Sequence, residues 1–437
     1  MIANHTAKTD SSVRACLFGI LIIIGLAITP ASASALGAPD AVANKTLVPP
    51  VMDGRADDAT WLAAQALTLA TIENEEHPVP PASVTVTMKF AYDSKYVYVL
   101  AQWPDASWSV YKHAWAFDAA THKWTTPKAD EDRFAIMWDH PLFPVKDFLP
   151  LSGCKGVCHS SNKAPSGSEV ATANESFLST NAANEKMDLW HWKAARTAAA
   201  GWADDQGLDY NFSGKLEAAR PADAKKTGGP ADNKQKLNNL SIPKYYEPIA
   251  LTPNDAAFIL KAEVDSGEAL SIHWVDDAGA LYYMADGQNK TVPEGAIIPG
   301  YVLSRSDGSR GEVDAADTWA SGTWTLEMRR ALDTTDPNDV AFKEGGTYAF
   351  AVGVFNNSGG RDHVRSTPRT VEFTAPPLPV STTPATSTPV TSTPASSTPV
   401  SSSPVSSTPP AESPGPGLVL ALVALGVGAI TLTRRHK

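Results

Sequence analysis

The chain has 437 residues and a formal net charge of −11, with 43% hydrophobic and 19% charged residues. That acidic balance excludes a nucleic-acid binder built on a basic footprint and a polybasic membrane-surface protein. Three cysteines are too few for a disulfide-stapled scaffold.

The N-terminus reads as an export signal over residues 1–35. Arg14 is the positive flank, 17–28 is an apolar run, and the small residues 31–35 follow Pro30 as an A-x-A-like cleavage site. An uncleaved anchor is the alternative. Removal of the signal takes Cys16 with it and leaves Cys154 and Cys158 in an exported chain.

A folded region is expected over 36–375. Asp53-Gly54 predicts a turn, and a short helical pattern surrounds Trp61. Val84, Val86, Met88 and Phe90 alternate with polar residues, and a second β-branched and aromatic run covers 96–100. Two such runs across the polar Asp93-Ser94 predict a hairpin. Further strands are expected at 133–138, 323–328, 348–355 and 370–374. The acidic run Asp130-Glu131-Asp132 reads as a solvated turn. A helix is expected over 188–200, ended by Gly201, and 203–247 reads as a long irregular loop. The fold class that follows is mainly β: an antiparallel β-sandwich with a helical or irregular insertion.

Residues 376–416 are a Ser/Thr/Pro-rich stretch without enough apolar content to bury a core, an extended stalk of the O-glycosylated kind. Residues 417–433 form an apolar run long enough to span a bilayer, and 434–437 are a basic tip. The order describes an exported protein held by its C-terminus at the outer face of the cytoplasmic membrane or the cell surface. This tail resembles the archaeal PGF-CTERM sorting tail, with Pro414-Gly415-Pro416 at the motif and proline in place of phenylalanine. Between the signal and the stalk, six N-x-S/T sequons, at Asn44, Asn174, Asn211, Asn239, Asn289 and Asn356, permit surface glycosylation.

The chemistry concentrates at Cys154-Lys155-Gly156-Val157-Cys158-His159. Cys-x-x-Cys-His is the haem c attachment signature, here with three residues between the cysteines. Two thiols add to the two vinyl groups, and the adjacent histidine becomes an axial ligand. A local disulfide is the bland alternative; its five-residue loop contributes little entropy. Zinc is a third reading, with His113, His122, His140 or His191 as a further ligand. No G-x-S-x-G, H-E-x-x-H or phosphate-binding glycine loop is present, so no catalytic constellation is expected.

Taken in order, several segments carry a resemblance to one family. They are Asp53-Gly54 with Trp61, Tyr92-Asp93 with Tyr96-Val97-Tyr98, and 133–138. They continue with Gly153-Cys154 to Cys158-His159, 188–194, Gly322 to Thr325 with Arg329, and 348–352. The chain resembles the haem-binding γ-subunits of ethylbenzene dehydrogenase, dimethyl sulfide dehydrogenase and selenate reductase. The resemblance implies a β-sandwich related to family 9 carbohydrate-binding modules and DOMON domains. It implies one haem, and electron exchange with a redox partner protein or a catalytic oxidoreductase subunit. In the characterised relative, methionine and lysine hold haem b. Here His159 takes the methionine's place, covalent c-type haem is favoured over b-type, and the second ligand is sought among Lys193, Lys244, Met137 and Met187. The plain readings are surface positions for the two lysines and core positions for the methionines. Trp190 and Trp192 either wall the haem or pack, and His191, between them, is expected to face outward. The expected function is therefore a tethered extracytoplasmic monohaem cytochrome, an electron carrier and not an enzyme. The alternative is a surface carbohydrate-binding or adhesion module without haem.

Overall fold

Period-two alternation becomes pleated strand wherever the sequence carries it, because one side of the pleat can then be buried whole. The protein is seen here as a computed structural model that describes residues 38–73, 81–127, 129–146, 148–149, 153, 180, 182, 184–209, 227–248, 258–358 and 362–374. The expected export segment, the motif from Cys154 to His159, the stalk and the C-terminal apolar run lie outside the described residues. Among the described residues no helix is long and apolar enough to cross a membrane.

Thirteen strands form the principal sheet: β1 (Ala41–Lys45), β2 (Leu67–Ala70), β3 (Ile72–Glu73), β4 (Thr85–Tyr92), β5 (Tyr96–Pro104), β6 (Arg133–Asp139), β7 (Lys186–Lys193), β8 (Trp202–Asp209), β9 (Val313–Ala320), β10 (Thr323–Ala331), β11 (Thr347–Phe355), β12 (Val364–Arg365) and β13 (Arg369–Thr374). Their order is β13-β1-β4-β5-β10-β9-β8-β7-β6-β11-β12-β3, with β2 against β4. Strand β11 also pairs with β13, so the ladder returns to its start. The expected sandwich is thus a closed one. Strand β1 runs parallel to both β13 and β4, and the other pairs are antiparallel.

The interior is aromatic. Trp103, Trp138, Trp190, Trp192 and Trp324 pack with Phe90, Phe134 and Phe350, all essentially without exposure. Trp192 meets Trp324 edge-on at 4.9 Å between centroids, a favoured arrangement of ring quadrupoles. Burying each such side chain is worth about 1.5–3 kcal/mol. Outside the barrel, the short helix α1 (Ala59–Ala63) seats Trp61 on Tyr98 and Leu100. The indole donates to Glu327, whose other oxygen accepts the N–H groups of Asp53 and Gly54. The expected turn is therefore clamped to β10.

An accessory lobe with its own apolar core grows from residues 113–125 and 227–303. Its largest sheet runs Tyr245–Tyr246, Leu270–Val275, Leu281–Ala285, Gln288–Thr291.

Four expectations are corrected. Residues 188–200 are not a helix. Strand β7 runs through Lys193, and only Ala198–Ala200 is helical, a 3₁₀ turn ended by Gly201 at φ +74°. The alanine run mimics helix propensity, but Trp190 and Trp192 point inward while Leu189 and His191 point outward, and both faces are covered. Residues 203–247 are not one irregular loop either. They contain β8 and, past the undescribed part, short strands including a hairpin whose tip, Asn238-Asn239, has two positive φ angles. The acidic run is not solvated. Glu131 accepts Arg196 and the N–H of Ala195, and Asp132 accepts N–H groups of Ser109, Asn357 and Trp324. Finally, Lys193, read as a surface lysine, is buried; His191 does face outward from the barrel, yet it too is buried.

Candidate functional site

Strand alternation sorts the side chains of β6, β7, β8 and β11 onto two faces. The inward face is the tryptophan core. The outward face carries four residues that the sequence singles out, Met137, Met187, His191 and Lys193, and register places them in rows with their neighbours. One row reads Ala351, Met137, Leu189, Gln206. The next reads Gly353, Ala135, His191, Asp204. A third joins Phe355, Arg133 and Lys193. Small residues on β11 and β6 leave the face shallow where these rows cross.

One end of the face is apolar. Met137, Met187, Leu189 and Leu208 pack with Val145, Phe148 and Ala351. Gly153 lies directly over it: a Cβ there would stand 3.3 Å from the Ala351 Cβ and 3.1 Å from Pro368. Cys154 is the next residue. Ala351, beneath Gly153, is the register partner of Met137.

The other end is cationic. The Arg133 guanidinium lies 4.0 Å from the Phe355 ring centroid and donates to Ser358 O at 2.5 Å. His191 and His363 both lie nearly parallel to Phe355, at 5.6 and 4.5 Å. Arg365 stands opposite Gly353 in β12 and is 6% exposed. Its Nε is buried and has no hydrogen-bond partner among the described residues. A buried polar group left without a partner is costly. Lys193 is satisfied otherwise. It pairs with Asp204, which also accepts Arg310 Nε at 2.5 Å and Nη2 at 2.9 Å. Burial would push the Asp204 carboxyl up, but the Lys193 and Arg310 charges outweigh it and hold the group well below the usual carboxylate range.

The remaining residues fall elsewhere. Trp190 and Trp192 point into the core and pack there. Lys244 is exposed in the accessory lobe, over the Tyr245 ring at 4.9 Å. His113 pairs with Tyr301, and His122 meets Ala278 O. His140 ends β6; burial and the neighbouring Lys186 lower its pKa. Arg365, Arg133 and His363 escaped the sequence reading, since their gathering around Phe355 and Gly353 is a three-dimensional fact. A second charged cluster sits inside the barrel. Arg330 reaches Asp188 at 2.7 Å, Asp205 at 3.2 Å and Asp339 at 3.7 Å. Those carboxylates are grouped as cation ligands would be, and the guanidinium supplies the cation.

Fold and face together define a closed β-sandwich protein with a buried, amphipathic face on the outside of its barrel. The chain belongs to the ethylbenzene dehydrogenase family, whose pattern matches residues 58–366, and so to an oxidoreductase-related group. No curated protein matches it. Among solved structures it is similar to a family 9 carbohydrate-binding module from Caldicellulosiruptor kristjanssonii in complex with cellotriose. That similarity has 9% identity over 77% of this chain and 94% of that one, with TM-score 0.26. A putative carbohydrate-binding protein from Bacteroides uniformis gives 9% identity over 76% and 97%, with TM-score 0.30.

Proposed function

We propose that the protein is an exported, surface-tethered haem protein that carries electrons to or from a partner oxidoreductase or its catalytic subunit. The observation that carries this reading is Arg365. Its side chain is buried, and its Nε has no hydrogen-bond partner among the described residues, in a row adjoining that of Ala351 and Met137. The face fits a haem in kind: apolar side chains and thioethers at one end for the porphyrin, and guanidinium groups at the other for its two propionates. Haem supplies one-electron iron chemistry when bound. The chain's own residues do the rest. Cys154 and Cys158 attach the vinyl carbons and His159 ligates the iron. Leu189, Leu208 and Phe148 exclude water, and Arg365 with Arg133 neutralises the carboxylates.

Met137 is the better second ligand. An ammonium engaged with Asp204 offers no lone pair, which argues against Lys193, and Lys244 belongs to the other lobe. Met137 is the register partner of Ala351, beneath Gly153. The test is optical. The purified protein should show a Soret band, and its haem should resist extraction into acidic acetone. The Met137→Ala variant should lose the methionine–iron charge-transfer band, whereas Lys193→Ala keeps it. Colourless protein from a haem-replete host overturns the reading. Haem that extracts freely overturns only the covalent attachment.

A further inference from the structure

The accessory lobe's four-stranded sheet turns one face to solvent, and that face is unusually apolar. Trp274 is 46% exposed and Met284 is 49% exposed. The Trp274 and Tyr282 rings lie 4.4 Å apart between centroids. A register irregularity between Ile272 and Trp274 turns both His273 and Trp274 outward from one strand. Large aromatic side chains left in water in a cluster are normally there to be covered.

One residue on the same face is chemically equipped to bring the cover with it. Asn289 stands directly opposite Met284, and Thr291 directly opposite Tyr282. Directly paired residues share a face with Cβ atoms about 4.5–5.5 Å apart. Asn289-Lys290-Thr291 is an N-x-T sequon, and both its asparagine and its threonine are exposed. His273 Nε2 meets the asparagine Oδ1 at 3.1 Å. That contact fixes the amide so that its nitrogen, without a partner among the described residues, is the end left to solvent. The other described sequons lack this arrangement. Asn44 stands between Thr374 and Ala91 in register, not opposite an exposed aromatic pair; Ser358 of the Asn356 sequon is buried, and Asn239 sits at a hairpin tip.

We infer that Asn289 carries an N-linked glycan whose first sugar lies on the plate formed by Trp274, Tyr282 and Met284. In the modification, the Asn289 amide nitrogen attacks the anomeric carbon of a lipid-phosphate-linked saccharide. A C–N bond forms, the C–O bond to phosphate breaks, and the amide proton leaves as the lipid phosphate departs. The apolar face of the pyranose then covers the aromatic rings, while its hydroxyl groups keep the surface wetted.

The test uses the full chain, secreted from a host that glycosylates N-x-S/T sites. Peptide mass analysis should find a glycan on Asn289. N-bromosuccinimide should oxidise Trp274 several-fold more slowly in the glycosylated protein than in Thr291→Ala, which keeps the asparagine but breaks the sequon. Absence of the glycan from Asn289 overturns the inference, as does equal oxidation of Trp274 in the two proteins. Saturable binding of free oligosaccharides by Thr291→Ala, quenching Trp274 fluorescence, also overturns it and makes the plate a receptor for another molecule's sugar.

Discussion

Replacing Arg330 with methionine removes a buried cation while keeping much of its volume. Arg330 is fully buried, holds Asp188 and Asp205, donates to Val340 O at 2.8 Å, and stacks over Trp190 at 4.8 Å. Burial disfavours its charge, yet the carboxylates outweigh burial and push its pKa up. Without it, three carboxylates with oxygens within 4.8 Å of one another are stranded in the core. Breaking a buried ion pair from one side costs about 3–5 kcal/mol. At the low end of about 2 °C per kcal/mol expected for a large domain, that is a Tm loss of about 6–10 °C. The loss should shrink in acid. Burial already raises the Asp188 carboxyl and pushes Asp339 to about 6, and protonation relieves the repulsion. Calorimetry of Arg330→Met at pH 8 and pH 5, with Asp188→Asn added as a partial rescue, measures this. A loss at pH 8 below about 1 kcal/mol would place the cluster with solvated pairs and refute the argument.

Gly54→Ala should cost at least about 1–3 kcal/mol, because φ is +77° and the new Cβ would meet the Asp317 backbone carbon at 2.4 Å; chemical denaturation with an unchanged m value checks it. Glu327 sets a pH dependence. Burial, only partly offset by the N–H groups of Trp61, Gly54 and Asp53, raises its pKa from 4.5 to about 7. The native state therefore binds this proton more tightly than the unfolded chain, and the contribution falls as pH rises from 4.5 to 7. Glu327→Gln should flatten the urea-midpoint slope across that window, and an unchanged slope counts against the assignment. Deleting 380–437 should leave the domain's Tm unchanged, since a charge-poor Ser/Thr/Pro stretch buries nothing; a drop of several degrees shows that it packs on the domain.

The strands at 84–90, 96–100, 133–138, 323–328, 348–355 and 370–374 were legible because each has one side in the tryptophan core and a sequence that says so. Strand β7 was not, since both its faces are covered and its charged ends are buried. Strand β8 reads as loop because Asp204, Asp205 and Gln206 look solvated until Lys193, Arg310 and Arg330 are brought to them from far along the chain. The same holds for the site. Its methionines stand out by type, whereas the burial of Arg365 shows only once β12 is laid against β11.

The first and last strands of the barrel are neighbours, Ala41 against Val371, and Asp40 bonds Thr370 across 330 positions. The ring therefore cannot be finished until the whole domain has been synthesised. A chain stopped short of β13 leaves β1 and β11 with raw edges, the form most prone to pairing with other chains. Folding should be dominated by this final, distant closure and be correspondingly slow. The outer face behaves differently. It lies outside the ring, so contacts made on it do not require the core to reopen.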